Sequence, residues 1–310
     1  MSTPALSIVI PTYSRGEILR ECLKRIEAQT IRDRIEVIAV SDGEPDKETA
    51  HLAKESFQVP VTFLAIPKSQ QGAARNKGVQ QAKGAVTLFL GDDMFPEPEC
   101  CETHLRRHGQ IDNGKLIIDN DGSNSRPKEI PKIINYQLSI NHPSAILGHV
   151  TWDPALDITP VMRWLEKTGW QFGFSFLQPH AFVPADKQHR FTYTANISLP
   201  TAIARKVPFK EGINLYGWED VEWGMRLREA GAHLFYEPDA KVLHHHRITL
   251  EDSLKRMETL GTSAVLFERM APDMHIVPKG WKRLAYGLIA YLPTMRGRHA
   301  GAFLKGCSQH

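Results

Sequence analysis

The sequence contains few cysteines and no long hydrophobic run. Its four cysteines, Cys22, Cys100, Cys101 and Cys307, include an adjacent pair and show neither disulfide-framework nor zinc-site spacing. No apolar run approaches the roughly 20 residues that a membrane-spanning helix needs, and residues 1–4 lack the basic and apolar regions of a signal peptide. These absences predict a cytoplasmic protein with reduced thiols.

An excess of charge of one sign is also missing. The chain carries 38 Lys and Arg against 35 Asp and Glu, and a net charge of +3 gives no reason to expect nucleic acid as a partner. Apolar residues make up 42% and charged residues 24%, as in ordinary globular proteins. With 310 residues the chain is long enough for one large domain or two small ones.

The first hundred residues alternate between strand and helix patterns. Short apolar runs predict strands at 6–10, 35–40, 61–66 and 86–90, and the segments between them predict helices at 16–28, 45–55 and 72–82. Nearly continuous apolar strands separated by helices are typical of a parallel sheet covered on both faces. The predicted fold class is therefore α/β, and ligands of such sheets bind beyond the carboxyl ends of the strands.

The second half is less regular. Turn-forming residues between 111 and 144 indicate an insertion or a mobile loop. Beyond it the pattern predicts a strand at 191–199, a helix at 215–230, and short strands at 234–236 and 241–243. The remainder is predicted to be helical and becomes increasingly basic.

Two acidic pairs lie about 125 residues apart in the sequence. They can form one site if the fold brings them together. Asp92 and Asp93 directly follow the strand at 86–90, and Glu219 and Asp220 open the helix at 215–230. A hard cation such as Mn²⁺ or Mg²⁺ binds carboxylates and keeps positions open for substrate phosphates, while a second carboxylate can act as a base. An aspartate pair alone is more typical of a solvated turn, so a metal site depends on the segments around it.

Five segments occur in an order that resembles glycosyltransferase family 2. They are SIVIPTY at 7–13, VSDG at 40–43, GAARNKG at 72–78, LGDD at 90–93 and GWED at 217–220. The resemblance covers roughly residues 5–105 and 145–265. It implies the GT-A fold, with a Rossmann-like, mostly parallel central sheet, helices on both faces, a smaller acceptor-side subregion and a helical C-terminal tail.

The same resemblance implies a division of the chain by role. Residues 1–110 would form the nucleotide-sugar-binding half and residues 145–265 the acceptor-binding and catalytic half, followed by a basic helical tail at 266–310. By position, the residues that would contact the donor nucleotide are Pro11, Thr12, Tyr13, Asp42, Arg75 and Asp92. UDP is the commonest donor nucleotide of the family and is expected here on that analogy.

The resemblance further implies a divalent metal cofactor, Mn²⁺ or Mg²⁺. Asp93 matches the last aspartate of the family's metal-binding Asp-x-Asp motif, and in related enzymes a histidine near 244–246 completes the site. His244 and His246 share one face of an extended segment, so both are candidate ligands. Gly91 replaces the first aspartate of the motif, which predicts weaker metal binding.

On the acceptor side, the resemblance assigns Asp220 as the general base and Glu219 as a residue that helps to hold the acceptor. Trp218, directly before the second acidic pair, would stack on an acceptor sugar. Thr194 and Asn196 resemble a family segment under the acceptor site, and their alternation fits a half-exposed strand equally well. A carboxylate opposite a diphosphate leaving group implies single displacement with inversion. The acceptor would be a saccharide or a lipid-linked saccharide.

Two other functions and one other mechanism are compatible with parts of the sequence. A sugar-phosphate nucleotidyltransferase would need a Gly-rich basic loop after the first strand, which residues 11–16 do not provide. A non-catalytic nucleotide- or sugar-binding protein of the same fold would explain Gly91, but not the two acidic pairs. A retaining mechanism stays open, and the stereochemistry of the product would separate it from inversion.

Two further features allow two interpretations each. His104 and His108 are one helical turn apart, which suits zinc, but without a third ligand they are expected on a polar helix face. The tail at 279–305 mixes aromatic and basic residues, which fits either an anionic membrane surface or a helix docked on the domain. Membrane contact would place the protein peripherally, at the inner face of the membrane.

Overall fold

A mixed β-sheet forms the centre of the computed structural model, which describes residues 3–112 and 143–309. Its strands are β1 (Leu6–Thr12), β2 (Ile35–Asp42), β3 (Val61–Ile66), β4 (Val86–Leu90), β5 (Met94–Pro96), β6 (Ser144–Trp152), β7 (Ala181–Phe182), β8 (Asn196–Pro200) and β9 (His233–His244). They lie in the order β3-β2-β1-β4-β8-β6-β9-β5, and β7 pairs with β9. Strands from both halves of the chain therefore share one sheet.

Helices pack around this sheet. They are α1 (Gly16–Glu27), α2 (Lys47–Leu52), α3 (Gln71–Gln81), α4 (Cys100–Asp112), α5 (Pro160–Thr168), α6 (Thr201–Lys206), α7 (Glu219–Glu229), α8 (Leu250–Met270), α9 (Gly280–Ala290) and α10 (Met295–Cys307). In α1, helical spacing places Leu19, Cys22, Leu23 and Ile26 on one buried face. Within the described residues, no helix is long and apolar enough to cross a membrane.

β3, β2, β1 and β4 run parallel to one another, and β6 also pairs with β9 in parallel. Every residue of β1, β2 and β4 is buried, because both faces of these strands are covered. β8 then joins β4 in the antiparallel direction, with Leu88 opposite Ser198. The predicted α/β class with a mostly parallel sheet and a helical C-terminal region is confirmed.

The structure departs from the predicted elements in two places. The strands predicted at 234–236 and 241–243 are one strand, β9, which pairs with β6 on both sides of a register shift at Gly148/His149. The strand predicted at 191–199 is confined to β8, because the chain turns between 191 and 195, where the Asn196 N–H donates to the Tyr193 carbonyl. The insertion or mobile loop predicted at 111–144 lies outside the described residues except at its two edges.

His104 and His108 point into the protein, so their predicted position on a polar helix face is wrong. His104 Nε2 lies 2.9 Å from Asn196 Oδ1, His104 Nδ1 lies 2.8 Å from Ser198 Oγ, and His108 Nε2 lies 2.9 Å from Ser198 Oγ. One proton arrangement satisfies this chain: both Nε2 atoms donate, and the Ser198 hydroxyl donates to His104 Nδ1. Both histidines are therefore neutral members of the core.

These two histidines should make the protein sensitive to acid. Burial lowers the pKa of His104 to about 4 and that of His108 to about 3, from an ordinary value of 6.5. The unfolded chain therefore binds more protons than the folded chain below pH 6.5, and stability falls as the pH is lowered from there. We expect a loss of about 2 kcal/mol per histidine by pH 4.5.

Urea unfolding between pH 7.5 and 4.5 measures this loss. His108→Gln keeps a neutral N–H donor near Ser198 and should flatten the pH dependence, even if it lowers stability at pH 7.5. An equally steep dependence in the wild type and the variant would show that another group causes it.

Candidate active site

The carboxyl ends of β1, β2 and β4 form the edge on which the candidate site lies. Thr12 ends β1, Asp42 ends β2, and Asp92 and Asp93 follow β4. Thr12 pairs with Ser41 across β1 and β2, and its hydroxyl donates a hydrogen bond of 2.9 Å to Asp92 Oδ2. Parallel strands thus bring residues from three separate segments to one edge.

Asp93 lies beside the histidines at the end of β9. The backbone N–H of His245 donates to the Asp93 carbonyl over 2.8 Å, where β5 pairs with β9. Asp93 Oδ2 consequently lies 3.5 Å from His244 Nε2 and 3.3 Å from His246 Nδ1. Burial opposes ionisation of Asp93, but hydrogen bonds from His244 and His246 and the charge of Arg15 outweigh it and hold the pKa of Asp93 well below its usual value.

Arg15 forms ion pairs with both aspartates. Its Nη1 lies 3.0 Å from Asp92 Oδ1, and its Nη2 lies 2.8 Å from Asp93 Oδ2 and 3.4 Å from His246 Nδ1. Burial and the charge of Asp93 raise the pKa of Asp92 to about 7, against the opposing charge of Arg15 and the hydrogen bond from Thr12. The guanidinium neutralises part of the charge of two adjacent carboxylates.

The groups around Asp93 fit a divalent metal ion. Ligand atoms of Asp93, His244 and His246 all lie within 4.8 Å of one another. One carboxylate with two imidazoles suits Mn²⁺ better than Mg²⁺, which prefers oxygen ligands. Arg15 donates to the same Asp93 oxygen, so metal binding and this ion pair compete for it.

Contacts with neighbouring side chains orient the histidines. The ring of His244 stacks on Trp152 with a centroid distance of 4.9 Å, and its Nδ1 is buried with no hydrogen-bond partner among the described residues. His245 instead lies with Nδ1 2.7 Å from Asp153 Oδ2. His244 and His246 therefore face Asp93, and His245 faces Asp153 instead.

Asp42 lies beside Lys68, which also contacts Tyr13. Asp42 Oδ1 accepts hydrogen bonds from the backbone N–H groups of Ser69 (2.7 Å) and Gln70 (3.0 Å), and Oδ2 lies 3.0 Å from Lys68 Nζ. Burial opposes ionisation of Asp42, but these hydrogen bonds and the Lys68 charge outweigh it and lower its pKa. Lys68 Nζ also lies 3.2 Å from the centre of the Tyr13 ring. An aromatic face next to an ionised carboxylate suits a nucleobase that carries an N–H donor.

A cleft of about 220 Å³ connects Asp42 with Glu219. It is lined by Asp42, Lys68, Gln70, Gln71, Gly72, Lys210, Ile213, Asn214, Leu215, Tyr216, Glu219 and Glu222. Glu219 Oε2 is buried with no hydrogen-bond partner in the part of the chain that the structure describes. Burial and the charge of Asp220 raise the pKa of Glu219 to about 7, against the charge of Arg75. Glu219 therefore changes charge near neutral pH.

Arg75 is a second unsatisfied group beside this cleft. Its side chain is buried on α3, and Nη2 donates to Oε1 of the cleft residue Gln71 over 3.0 Å. Its Nε and Nη1 are buried without a partner in residues 3–112 and 143–309. Buried donors without partners are rare in folded proteins, and a guanidinium with free N–H groups binds phosphate oxygens well.

Asp220 is held by the segment that precedes β8. Its Oδ1 accepts a hydrogen bond of 2.7 Å from the Thr194 hydroxyl, and its Oδ2 accepts one of 3.0 Å from the Thr194 backbone N–H. The Thr192 hydroxyl donates to the backbone carbonyl of Asp220 over 2.7 Å. The orientation of the carboxylate is therefore fixed by two hydrogen bonds from one residue.

The three residues predicted on the acceptor side make internal contacts. Asn196 is completely buried and is hydrogen-bonded to His104 and to the Ala240 carbonyl, so the structure places it in the core. Thr194 is also buried and acts on Asp220. The Trp218 indole packs on Phe267 and donates to the Leu260 carbonyl, so the structure places it in a packing contact.

Several residues of the site were not predicted from the sequence. These are Arg15 beside the aspartates, and Lys68, Gln71, Lys210 and Tyr216 in the cleft. Their common feature is position, because each lies in, or directly follows, a loop beyond a strand or before a helix. Polar and aromatic residues in those loops were the signal that could have identified them.

Comparison with solved structures identifies the fold. The mannosyltransferase PcManGT from Pyrobaculum calidifontis, in complex with GDP-Man and Mn²⁺, is similar over 100% of this chain and 76% of its own, with a TM-score of 0.53 and 14% identity. S. aureus TarS 1-349 in complex with UDP is similar over 98% of this chain and 91% of its own, with a TM-score of 0.52 and 14% identity. These likenesses confirm the predicted GT-A fold.

Sequence comparison adds the family. The chain is 37% identical to EpsH of Bacillus subtilis (strain 168) over 122 residues, which are 39% of this chain and 34% of EpsH. Its matches span from 21% to 64% of the length of the curated relatives. The model of the family described as glycosyl transferase family 2 matches residues 7–168, more than half of the chain. The chain therefore belongs to glycosyltransferase family 2.

Proposed function

We propose that this protein is a glycosyltransferase, which moves a sugar from a nucleoside-diphosphate donor to an acceptor hydroxyl with inversion at the anomeric carbon. The observation that carries the proposal is Arg75, a buried guanidinium with two unpartnered N–H groups beside the cleft that joins Asp42 to Glu219. A diphosphate is the ligand that such donors favour. A nucleobase at Asp42 and Tyr13 would place the diphosphate further along the same edge.

The donor side of the site offers contacts for the base of the nucleotide. Asp42, already ionised, would accept a hydrogen bond from the base, and Tyr13, half-exposed, would offer its ring. Pro11, Thr12 and Asp92 complete this edge by position. Lys68 now occupies the face of Tyr13, so it would move aside or contact the nucleotide when the base enters.

A divalent metal fits at Asp93, His244 and His246, and we propose Mn²⁺ over Mg²⁺ because two of the three ligands are imidazoles. When bound, such an ion neutralises the negative charge that develops on the departing diphosphate. The ion pair of Arg15 with Asp92 and Asp93 supplies a positive charge at the same place. Binding of the metal therefore requires Arg15 to share or release Asp93.

On the acceptor side, Asp220 would accept the proton of the attacking hydroxyl while Thr194 keeps its carboxylate oriented. The bond from the anomeric carbon to the diphosphate oxygen breaks as the bond to the acceptor oxygen forms. Glu219 lines the cleft with an unpartnered oxygen and would hold an acceptor hydroxyl. We propose a saccharide or a lipid-linked saccharide as the acceptor.

The donor nucleotide can be tested directly by calorimetric titration of UDP and of GDP, with and without Mn²⁺. TarS has been crystallised with UDP-GlcNAc and PcManGT with GDP-Man and Mn²⁺, and we expect UDP to bind here. Mn²⁺ should raise its affinity at least about tenfold. Asp42→Asn should weaken it about tenfold, since a hydrogen bond to a charged acceptor is lost.

Asp33→Asn is the matched control, because Asp33 is exposed in a turn away from the cleft. It should leave the affinity for the nucleotide unchanged. Tighter binding of GDP would replace UDP as the donor nucleotide, and no binding of either with or without Mn²⁺ would refute the proposed donor site.

A further inference from the structure

Helix α9 carries an apolar stripe that no other described residue covers. The stripe consists of Trp281, Leu284, Leu288, Tyr291 and Leu292, which are 73%, 73%, 73%, 89% and 52% exposed. Their spacing of three or four residues places them on one face of the helix and its C-terminal turn. We call this surface the α9 stripe. Large apolar side chains grouped on one face in this way mark an interaction surface.

The opposite side of α9 is packed, so the stripe belongs to a helix that is fixed in place. Arg283 Nη2 donates to Ser308 Oγ over 3.0 Å, and Gly301 of α10 lies against Ala290. A side chain at Gly297 would collide with the carbonyls of Ile289 and Leu292, which shows how closely α10 approaches the end of α9. The exposure of the stripe is therefore a property of the packed structure.

The segment around the stripe is exclusively basic. Residues 274–310 contain no Asp or Glu and six Lys or Arg. Two of these six are used internally, in ion pairs of Lys279 with Glu268 and of Lys305 with Glu258. Lys282, Arg296 and Arg298 are exposed and form no ion pair within the described residues. Lys282 lies in the first turn of α9. Arg296 and Arg298 flank Gly297, which contacts the C-terminal end of α9.

We propose that the α9 stripe is a docking surface for an anionic lipid bilayer. Trp and Tyr prefer the boundary between acyl chains and headgroups, and leucines between them insert into the apolar region. Unpaired cations at both ends of the stripe match the charge of anionic headgroups, and each adds to the attraction. This proposal does not depend on the donor or the acceptor of the transfer reaction.

A second copy of the chain fits this surface less well. The stripe is one helix wide, and its twelve residues span about 18 Å. Its area is therefore far smaller than the roughly 800 Å² that each partner buries in a stable interface. A symmetric dimer would also bring two uncompensated basic segments face to face, which repel each other. A bilayer has neither limitation, because it supplies opposite charge and needs no shaped partner surface.

The test is co-sedimentation of the full chain with vesicles of phosphatidylcholine, alone or with about 30% phosphatidylglycerol, in about 0.1 M salt. We expect at least about tenfold stronger binding to the anionic vesicles. Leu284→Asp combined with Leu288→Asp should lose at least tenfold of that binding. Phe176→Asp is the matched control, because Phe176 is similarly exposed outside the stripe and its replacement should change nothing.

Two further measurements keep the outcome decisive. Trp281 is the most exposed of the six tryptophans, so vesicles carrying brominated lipid should quench part of the wild-type fluorescence. Equal binding to both vesicle types, no quenching, or a dimer that dissociates in the double Leu variant would overturn the proposal. Nucleotide affinity, measured in parallel, should be the same in all variants, which separates this proposal from that of the donor site.

Discussion

Asp220→Asn is expected to lower turnover by about a thousandfold and to leave nucleotide binding unchanged. A general base contributes about 10²–10⁴ to a rate, and an amide cannot accept the proton of the acceptor hydroxyl. The fold should tolerate the change, because the Asn amide can still accept a hydrogen bond from the Thr194 N–H and can donate one to the Thr194 hydroxyl. The hydroxyl would then accept a hydrogen bond where it now donates one. Release of nucleoside diphosphate with a panel of saccharide acceptors measures turnover, and calorimetry measures binding.

Glu219→Gln separates the two adjacent carboxylates. With a pKa of about 7, Glu219 becomes charged as the pH rises through neutrality. If the charged form holds the acceptor, activity of the wild type rises across that range. The variant, whose amide is uncharged at every pH, should lose the rise and stay near the rate of the wild type at low pH. A thousandfold loss in Glu219→Gln with near-normal turnover in Asp220→Asn would make Glu219 the base instead.

Thr194→Val tests whether the orientation of Asp220 matters. The variant keeps the backbone N–H that donates to Oδ2 and removes only the hydroxyl that donates to Oδ1. Turnover should fall about tenfold with the donor KM unchanged, and Thr194→Ser should restore it, because Ser supplies the same hydroxyl. An equal loss in the Val and Ser variants would indicate a packing role.

The fold was predictable from the sequence wherever hydrophobic runs and their ends are local features. β1 to β4 and the acidic ends of β2 and β4 follow from short apolar runs that stop at polar residues. β9 was predicted as two strands because Pro238 and Asp239 interrupt the pattern. The structure bridges that interruption with a shift in the pairing of β9 with β6, which depends on a partner strand far away in sequence.

The parts of the site that could not be predicted are contacts between distant segments. The sequence predicts Asn196 under the acceptor site or on a half-exposed strand, but α4 covers that strand face with His104 and His108. Arg15 lies 78 residues from Asp93, and nothing in its local sequence indicates an ion pair. The histidine run gave two candidate metal ligands, and the structure places both next to Asp93 because β5 pairs with β9.

Asp93→Ala is expected to remove the effect of Mn²⁺ on donor binding. Loss of an outer-sphere partner alone costs about 10–100-fold in metal affinity, so loss of the sole carboxylate in this three-residue set should cost at least about 100-fold. Titration of the protein with Mn²⁺, monitored by electron paramagnetic resonance, measures the metal affinity without any turnover. His246→Gln should cost less than Asp93→Ala, because it leaves the carboxylate and His244 in place.

Arg15→Gln should change Mn²⁺ affinity in the opposite direction. The guanidinium donates to the Asp93 oxygen that also faces both histidines, so its removal frees a ligand atom and removes a competing positive charge. We expect Mn²⁺ to bind several-fold more tightly to this variant. If Asp93 served only to hold Arg15, Asp93→Ala and Arg15→Gln would instead lose stability by similar amounts. Mn²⁺ would then bind neither variant, nor the wild type. Opposite signs in the two variants therefore distinguish a metal site from an ion pair in the same place.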